Sequence, residues 1–139
     1  MSSLYTAVAT ATGGRNGHTK SSDGVVDFET SIPKSMGGPG KEGATNPEQL
    51  FAAGYAACFC SAVEFVARMQ KLDAAGTAVT AHVGIGAKEG GGFELSVTLE
   101  VDIPALDHDA AHTLVEAAHQ VCPYSNATRG NVPVELKII

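Results

Sequence analysis

The sequence predicts an α+β fold, an antiparallel sheet packed on a long central helix and a second helix, on three observations. A helical signal runs unbroken from Asn46 to about Leu72; two cleanly alternating runs face each other across Lys88 to Gly92; and a shorter amphipathic helix precedes an alternating strand at the C-terminal end. At 139 residues, 44% of them hydrophobic, the chain is expected to be one compact domain over 1–139, burying about two-thirds of its unfolded surface.

Taken in order, Leu4 to Thr12 reads as a strand closing at the Gly13–Gly14 turn, with Arg15 just beyond it. Asp23–Gly24 is a hairpin-type turn, and Val26 and Phe28 alternate with polar neighbours before Pro33 ends the run. Ser35 to Thr45 is too rich in Gly and Pro for regular structure and is expected to be a surface loop. The long helix then opens with Asn46 as N-cap, Pro47 at the first helical position, Glu48 in the first turn and Gln49 at the capping-box position. Leu50, Phe51, Gly54, Ala57, Cys58, Ser61, Ala62, Phe65 and Met69 share one face, expected to be the buried one. Ala52, Ala53, Ala56 and Val63 leave the opposite face without a charged stripe, so the helix is expected to be covered on several sides, including at an interface.

Val79 to Ile85 and Phe93 to Val101 form the hairpin, with one wet face. Asp107 caps the second helix, whose stripe of Ala110, Ala111, Leu114, Val115, Ala118 and Val121 is stopped by Pro123. Val132, Val134, Leu136 and Ile138 make the last strand.

A net charge of −6, from 9 Lys+Arg against 15 Asp+Glu, argues against nucleic acid or an anionic membrane as partner. No run is read as a membrane span and the N-terminus does not read as a signal peptide, so a cytoplasmic location is expected. The three cysteines, Cys58, Cys60 and Cys122, do not form a secreted disulfide framework. On residues alone, Cys58 and Cys122 are either buried small hydrophobes or reactive thiols that need a neighbouring cation, for which Arg15 and Arg129 are candidates. Cys60 lies about 200° round a helix from Cys58, which excludes a bond between them without unwinding, and it reads as structural. His108 and His112 stand at i and i+4 with His119 further on. They read as a solvated polar face rather than a metal site, and no metal or bound cofactor is expected.

Three segments together, YTAVATATGGR from Tyr5, GATNPEQLFAAGYAACF from Gly43 and AHQVCPYSNATRGNVPV from Ala118, resemble the organic hydroperoxide resistance proteins of the Ohr/OsmC superfamily. The resemblance implies an OsmC-like fold, an intertwined homodimer, and a thiol-dependent peroxidase that reduces organic hydroperoxides to alcohols. It implies a lipoyl-type dithiol, dihydrolipoamide or a lipoylated protein, as reductant. Carried over residue by residue, Cys58 is the peroxidatic cysteine, forming a sulfenic acid, and Cys122 the resolving one, closing an intrachain disulfide. Arg15 lowers the thiolate's pKa and positions the peroxide, with Glu48 orienting the guanidinium. Cys60 departs from the family pattern.

In a continuous helix Glu48 and Cys58 stand about 15 Å apart along the axis, so the glutamate near one Cys58 is expected to come from a partner chain. Phe51, Phe65 and the loop from Ser35 to Gly40, with Met36, are expected to wall a pocket for an alkyl tail. Two other readings use the same residues: a thiol–disulfide oxidoreductase acting on proteins, which the buried position of Cys58 opposes, and a non-enzymatic redox sensor or ligand binder, which would oxidise without turnover.

Overall fold

A computed structural model describes residues 1–139. In chain order the elements are β1 (Ala9–Thr12), a 3₁₀ turn (Gly14–Asn16), β2 (His18–Ser21), β3 (Asp27–Glu29), a second 3₁₀ turn (Lys34–Met36), α1 (Pro47–Gln70), β4 (Ala78–Ala87), β5 (Phe93–Asp102), α2 (His108–Val121), α3 (Pro123–Thr128) and β6 (Val134–Ile138). They fall into two compact units, Met1–Leu50 and Phe51–Ile139.

The first unit is an antiparallel meander in the order β1-β2-β3. Its first strand is shorter than the run from Leu4 predicts, because β2 ends at Ser21 where Asp23 turns the chain. The Asp23 carboxylate accepts from Ser21 Oγ and from the Val25 N–H, and Gly24 takes a positive φ. The Ser22 N–H still reaches the Val8 carbonyl, but Leu4 and Tyr5 stay exposed.

Thr30 holds this unit together from inside. Its buried hydroxyl accepts from the Gly17 N–H and donates to the Gly14 carbonyl, both at 2.8 Å, and so clamps the two ends of the turn that carries Arg15. The adjoining backbone bridges to Thr45: the Thr45 N–H donates to the Glu29 carbonyl and the Ser31 N–H to the Thr45 carbonyl. Thr45 directly precedes the α1 cap, so one strand end fixes both the Arg15 turn and the start of the helix bearing Glu48. Gly17 is required in that turn, since a Cβ there would lie 1.9 Å from the Thr12 carbonyl oxygen.

The Asn46 side chain caps α1 as expected, accepting from the Gln49 N–H at 2.8 Å. The Gln49 side chain does not complete a capping box; its Oε1 accepts from Thr45 Oγ1 instead.

In the second unit α1, α2 and the sheet β4-β5-β6 enclose one core. The β4–β5 register pairs Val79 with Val101, Ala81 with Leu99 and Val83 with Val97, so the small and branched residues share one face. Polar residues, including the hydrogen-bonded His82 and Glu100, take the other. One feature departs from an all-antiparallel sheet: β6 runs parallel to β5, with Val97 beside Val134, Leu99 beside Leu136 and Val101 beside Ile138. A parallel neighbour requires a crossover, and α2 with α3 supplies it.

The buried face of α1 is Tyr55, Phe59, Ala62, Val63, Val66 and Ala67, not the stripe expected from the sequence. Of that stripe only Ala62 is buried; Phe65 and Met69 are exposed and Cys58 is half-buried at the border. The physical reason is that α1 is small or apolar round most of its circumference, so periodicity could not choose a side; packing against Val97, Leu99 and Leu114 does. The same composition makes α1 long and apolar enough to cross a membrane by length and composition alone, which corrects the reading that no run qualifies.

Asp107 caps α2 through the Ala110 N–H. Pro123 ends α2, as expected, and also opens the short helix α3, for which the sequence analysis has no element.

Thr30→Val should remove both clamping hydrogen bonds and lower stability by roughly 1–3 kcal/mol, while Thr30→Ser should retain most of it. Urea unfolding of the two variants checks this, and equal losses would show that the hydroxyl is not the clamp.

Candidate active site

The four residues singled out in the sequence form two pairs, one in each unit. In the first, Arg15 projects from its clamped turn and meets Glu48 of α1 in a two-pronged pair: Nη1 donates to Oε2 at 2.8 Å and Nη2 to Oε1 at 2.6 Å. The Glu48 side chain is only 14% exposed, so this is not a freely solvated surface pair. Hydrogen bonding from Arg15 holds the Glu48 carboxyl below its ordinary value, and Glu48 in turn raises the guanidinium. A fork held at both prongs keeps its remaining donors in a fixed direction.

In the second unit Cys58 and Cys122 are both free thiols, their sulfurs 3.5 Å apart. Cys122 sits at the elbow between two helices. Its N–H closes α2 on the Ala118 carbonyl and its own carbonyl accepts from Asn126 to begin α3, both at 2.9 Å. Its side chain is completely buried, whereas Cys58 is half-buried and opens on a depression of about 380 Å³ lined by Ser61, Ala62, Phe65, Val121 and Pro123. The depression is mainly apolar and open to solvent.

Burial pushes the Cys58 thiol up. The backbone at Tyr124 opposes this, and the neighbouring Cys122 adds to the rise. No cation is among the groups that act on it, so within its own unit Cys58 is a thiol rather than a thiolate at neutral pH.

Phe65 lines the depression, as expected, but Phe51 does not; it packs edge-on to Tyr55 and beside Tyr124. Met36 belongs to the first unit, where it is partly exposed in the second 3₁₀ turn. Cys60 makes one weak contact, Sγ to the Thr77 carbonyl at 3.8 Å, and burial raises its thiol too. Arg129, the other candidate cation, is committed elsewhere, donating to the His119 carbonyl and to Asn126 Oδ1. His108 and His112 lie exposed with their rings stacked 6.5 Å apart. His119 points away from them, into a polar cluster with Ser125.

That cluster is what sequence reasoning missed. Tyr55 is fully buried and its hydroxyl contacts Ser125 Oγ at 2.8 Å and Thr128 Oγ1 at 3.2 Å. A buried hydroxyl without a partner costs roughly 1–3 kcal/mol, which the cluster avoids. The available signal was Pro123 followed by Ser125 and Thr128, a Pro at N1 with polar residues on the inner face of a short helix. Gly54 completes the fit: a Cβ there would lie 3.0 Å from the Tyr124 hydroxyl.

An elbow that buries one thiol against another, on an α+β unit with a long helix under the sheet, places the chain among known proteins. Residues 38–137 match the family model described as OsmC-like protein. An organic hydroperoxide resistance protein of Xanthomonas axonopodis pv. citri (strain 306) is 54% identical over 136 residues, 97% of this chain and 94% of that protein. The organic hydroperoxide resistance protein OhrB of Bacillus subtilis (strain 168) is 50% identical, over 97% of this chain and 98% of that one. A crystal structure of an organic hydroperoxide resistance protein from Legionella pneumophila superposes with a TM-score of 0.93 at 50% identity, covering 99% of this chain and 98% of that one. The chain belongs to the OsmC-like family, among its organic hydroperoxide resistance proteins. The resemblance read from the three sequence segments is thus borne out.

The Arg15–Glu48 pair carries a pH signature with a definite sign. Because the Glu48 carboxyl is depressed from its ordinary 4.5, its contribution to stability is fully present above that value and is lost as pH falls through the lower, folded value. The stability difference between wild type and Glu48→Gln, followed by urea unfolding, should be constant above about pH 5 and shrink on acidification. A difference that does not change with pH would remove the ion pair as its cause.

Proposed function

We propose that this protein is a thiol-dependent peroxidase that reduces organic hydroperoxides to alcohols in the oxidative stress response, with Cys58 as the attacking thiol and Cys122 as the resolving one. The observation that carries the reading is the 3.5 Å approach of a fully buried thiol to a half-buried one that opens on an apolar depression. The Cys58 thiolate attacks one peroxide oxygen; the S–O bond forms as the O–O bond breaks, and the alkoxide leaves as the alcohol after taking a proton. Cys122 then attacks the sulfenic sulfur, forming the S–S bond as the S–O bond breaks, and the oxygen leaves as water. A dithiol of the dihydrolipoyl type resets the pair by two exchanges, becoming a cyclic disulfide itself. No bound cofactor takes part in this scheme.

The depression at Cys58 supports an organic substrate. Each buried methylene of an alkyl tail is worth about 0.8 kcal/mol, a gain that hydrogen peroxide lacks. A protein disulfide as substrate is disfavoured, since a bulky partner would have to reach sulfurs of which one is sealed.

Thiolate formation needs a positive charge that the Cys58 unit does not supply, and the forked Arg15–Glu48 pair is fit to supply it. α1 is unbroken from Pro47 to Gln70, so Glu48 and Cys58 are separated by about 15 Å of helix rise. The reading therefore places the pair of one chain at the Cys58 of a second, in an intertwined homodimer. The apolar residues left uncovered on α1, Phe65 and Met69, suit such a contact.

With cumene hydroperoxide and dihydrolipoamide, Cys58→Ser should lose the first oxidation step, Cys122→Ser should oxidise once without turning over by an intramolecular disulfide, and Cys60→Ser should remain active. Hydrogen peroxide, assayed in parallel, should be the poorer substrate. Turnover by Cys58→Ser would end the peroxidase reading.

Arg15→Ala should shift the pH at which Cys58 alkylates upward. Mixing Arg15→Ala chains with Cys58→Ser chains should restore activity that neither has alone. Mixed dimers without activity would assign Arg15 to its own chain's thiol.

A further inference from the structure

The polar cluster under α3 has more contacts than hydroxyl protons. Thr128 Oγ1 donates to the Ser125 carbonyl at 3.1 Å, so its only proton is used. The Tyr55 hydroxyl must then be the donor to Thr128 Oγ1, which leaves Ser125 Oγ to donate to Tyr55. The remaining contact, 2.8 Å between His119 Nδ1 and Ser125 Oγ, has a proton only if the imidazole provides it. All four contacts are satisfied together when His119 carries its proton on Nδ1. Burial and the nearby Arg129 lower its affinity for a second proton, which favours the neutral imidazole.

This chain of bonds ends at the thiol elbow. Ser125 is in the first turn of α3, the helix that starts on the Cys122 carbonyl. His119 is in the last turn of α2, which the Cys122 N–H closes. The His119–Ser125 bond therefore ties together the two helices that meet at Cys122, and Tyr55 anchors the tie to α1, the helix that bears Cys58.

Building on the peroxidase reading, we infer that His119 is a positioning residue for the resolving thiol: its Nδ1–H, through Ser125 and Tyr55, sets the elbow so that the Cys122 sulfur meets the Cys58 sulfenic acid in line. The sulfurs stand 3.5 Å apart and must close to about 2.05 Å, so a small rotation of the elbow decides whether attack is productive. Where attack is slow, the sulfenic acid lives longer and a second peroxide oxidises it to the sulfinic acid, reducing that peroxide to its alcohol.

The test measures that competition in the full-length protein with Cys60→Ser as background, so that only the paired thiols report. Reduced protein is titrated with cumene hydroperoxide without dithiol, and intact mass separates the disulfide from the sulfinic acid. His119→Leu and Ser125→Ala should form the Cys58 sulfenic acid at the wild-type rate, yet close the disulfide about tenfold more slowly and accumulate sulfinic acid. His119→Asn, which places an amide N–H where Nδ1–H stands, should restore closure. A purely structural role would lower the melting temperature of His119→Leu without moving this partition or responding to Asn. Folded Leu and Ala variants with a wild-type share of disulfide, or an Asn variant no better than Leu, would overturn the inference. A parent protein in which the hydroperoxide oxidises neither Cys58 nor Cys122 would instead overturn the peroxidase reading.

Discussion

Cys122 does three things at one point in the chain, and the second unit is arranged around them. Its N–H ends α2, its carbonyl starts α3, and its side chain is sealed against Cys58. The parallel strand β6 makes this possible, because a parallel pair forces a crossover above the sheet and the elbow lies in that crossover. Pro123 sharpens it: with no N–H to contribute, it cannot continue α2, yet its fixed φ suits the first position of α3. Two helices thus meet at a cysteine, each held there by one of its backbone groups.

The first unit solves a different problem with comparable economy. An arginine held in one direction needs a rigid base and a partner for its fork. Thr30 provides the base by clamping both ends of the Arg15 turn, and Glu48 provides the partner from the first turn of α1. Because Thr45 bridges the Thr30 strand end to the helix start, the two halves of the ion pair are held by one short stretch of backbone. Glycine is indispensable at Gly17, where a carbonyl occupies the space of any side chain.

The two units differ in their electrostatics. Cys58 by itself is pushed towards the neutral thiol by burial, while Arg15 is fixed in its charged form by Glu48. Beneath the thiols a cluster of Tyr55, Ser125, Thr128 and His119 satisfies polar groups that the core would otherwise penalise.

Strand alternation, the Asn46–Pro47 start of α1, the Asp107 cap and the family resemblance were all legible from sequence, because each depends on residues close together in the chain or on long specific segments. So was the choice of Arg15, Glu48, Cys58 and Cys122 as candidates, though not their geometry. Tertiary structure alone decided which face of α1 is buried, since an almost uniformly small and apolar helix offers no periodic contrast and the sheet and α2 select the side they fit. It alone set β6 parallel to β5, a matter of pairing across a long connection that local pattern does not encode. The 3.5 Å approach of two sulfurs 64 positions apart, and the hydroxyl cluster behind them, likewise exist only once α1, α2 and α3 are packed: contacts between distant segments are fixed by the fit of whole surfaces, not by any local run of residues.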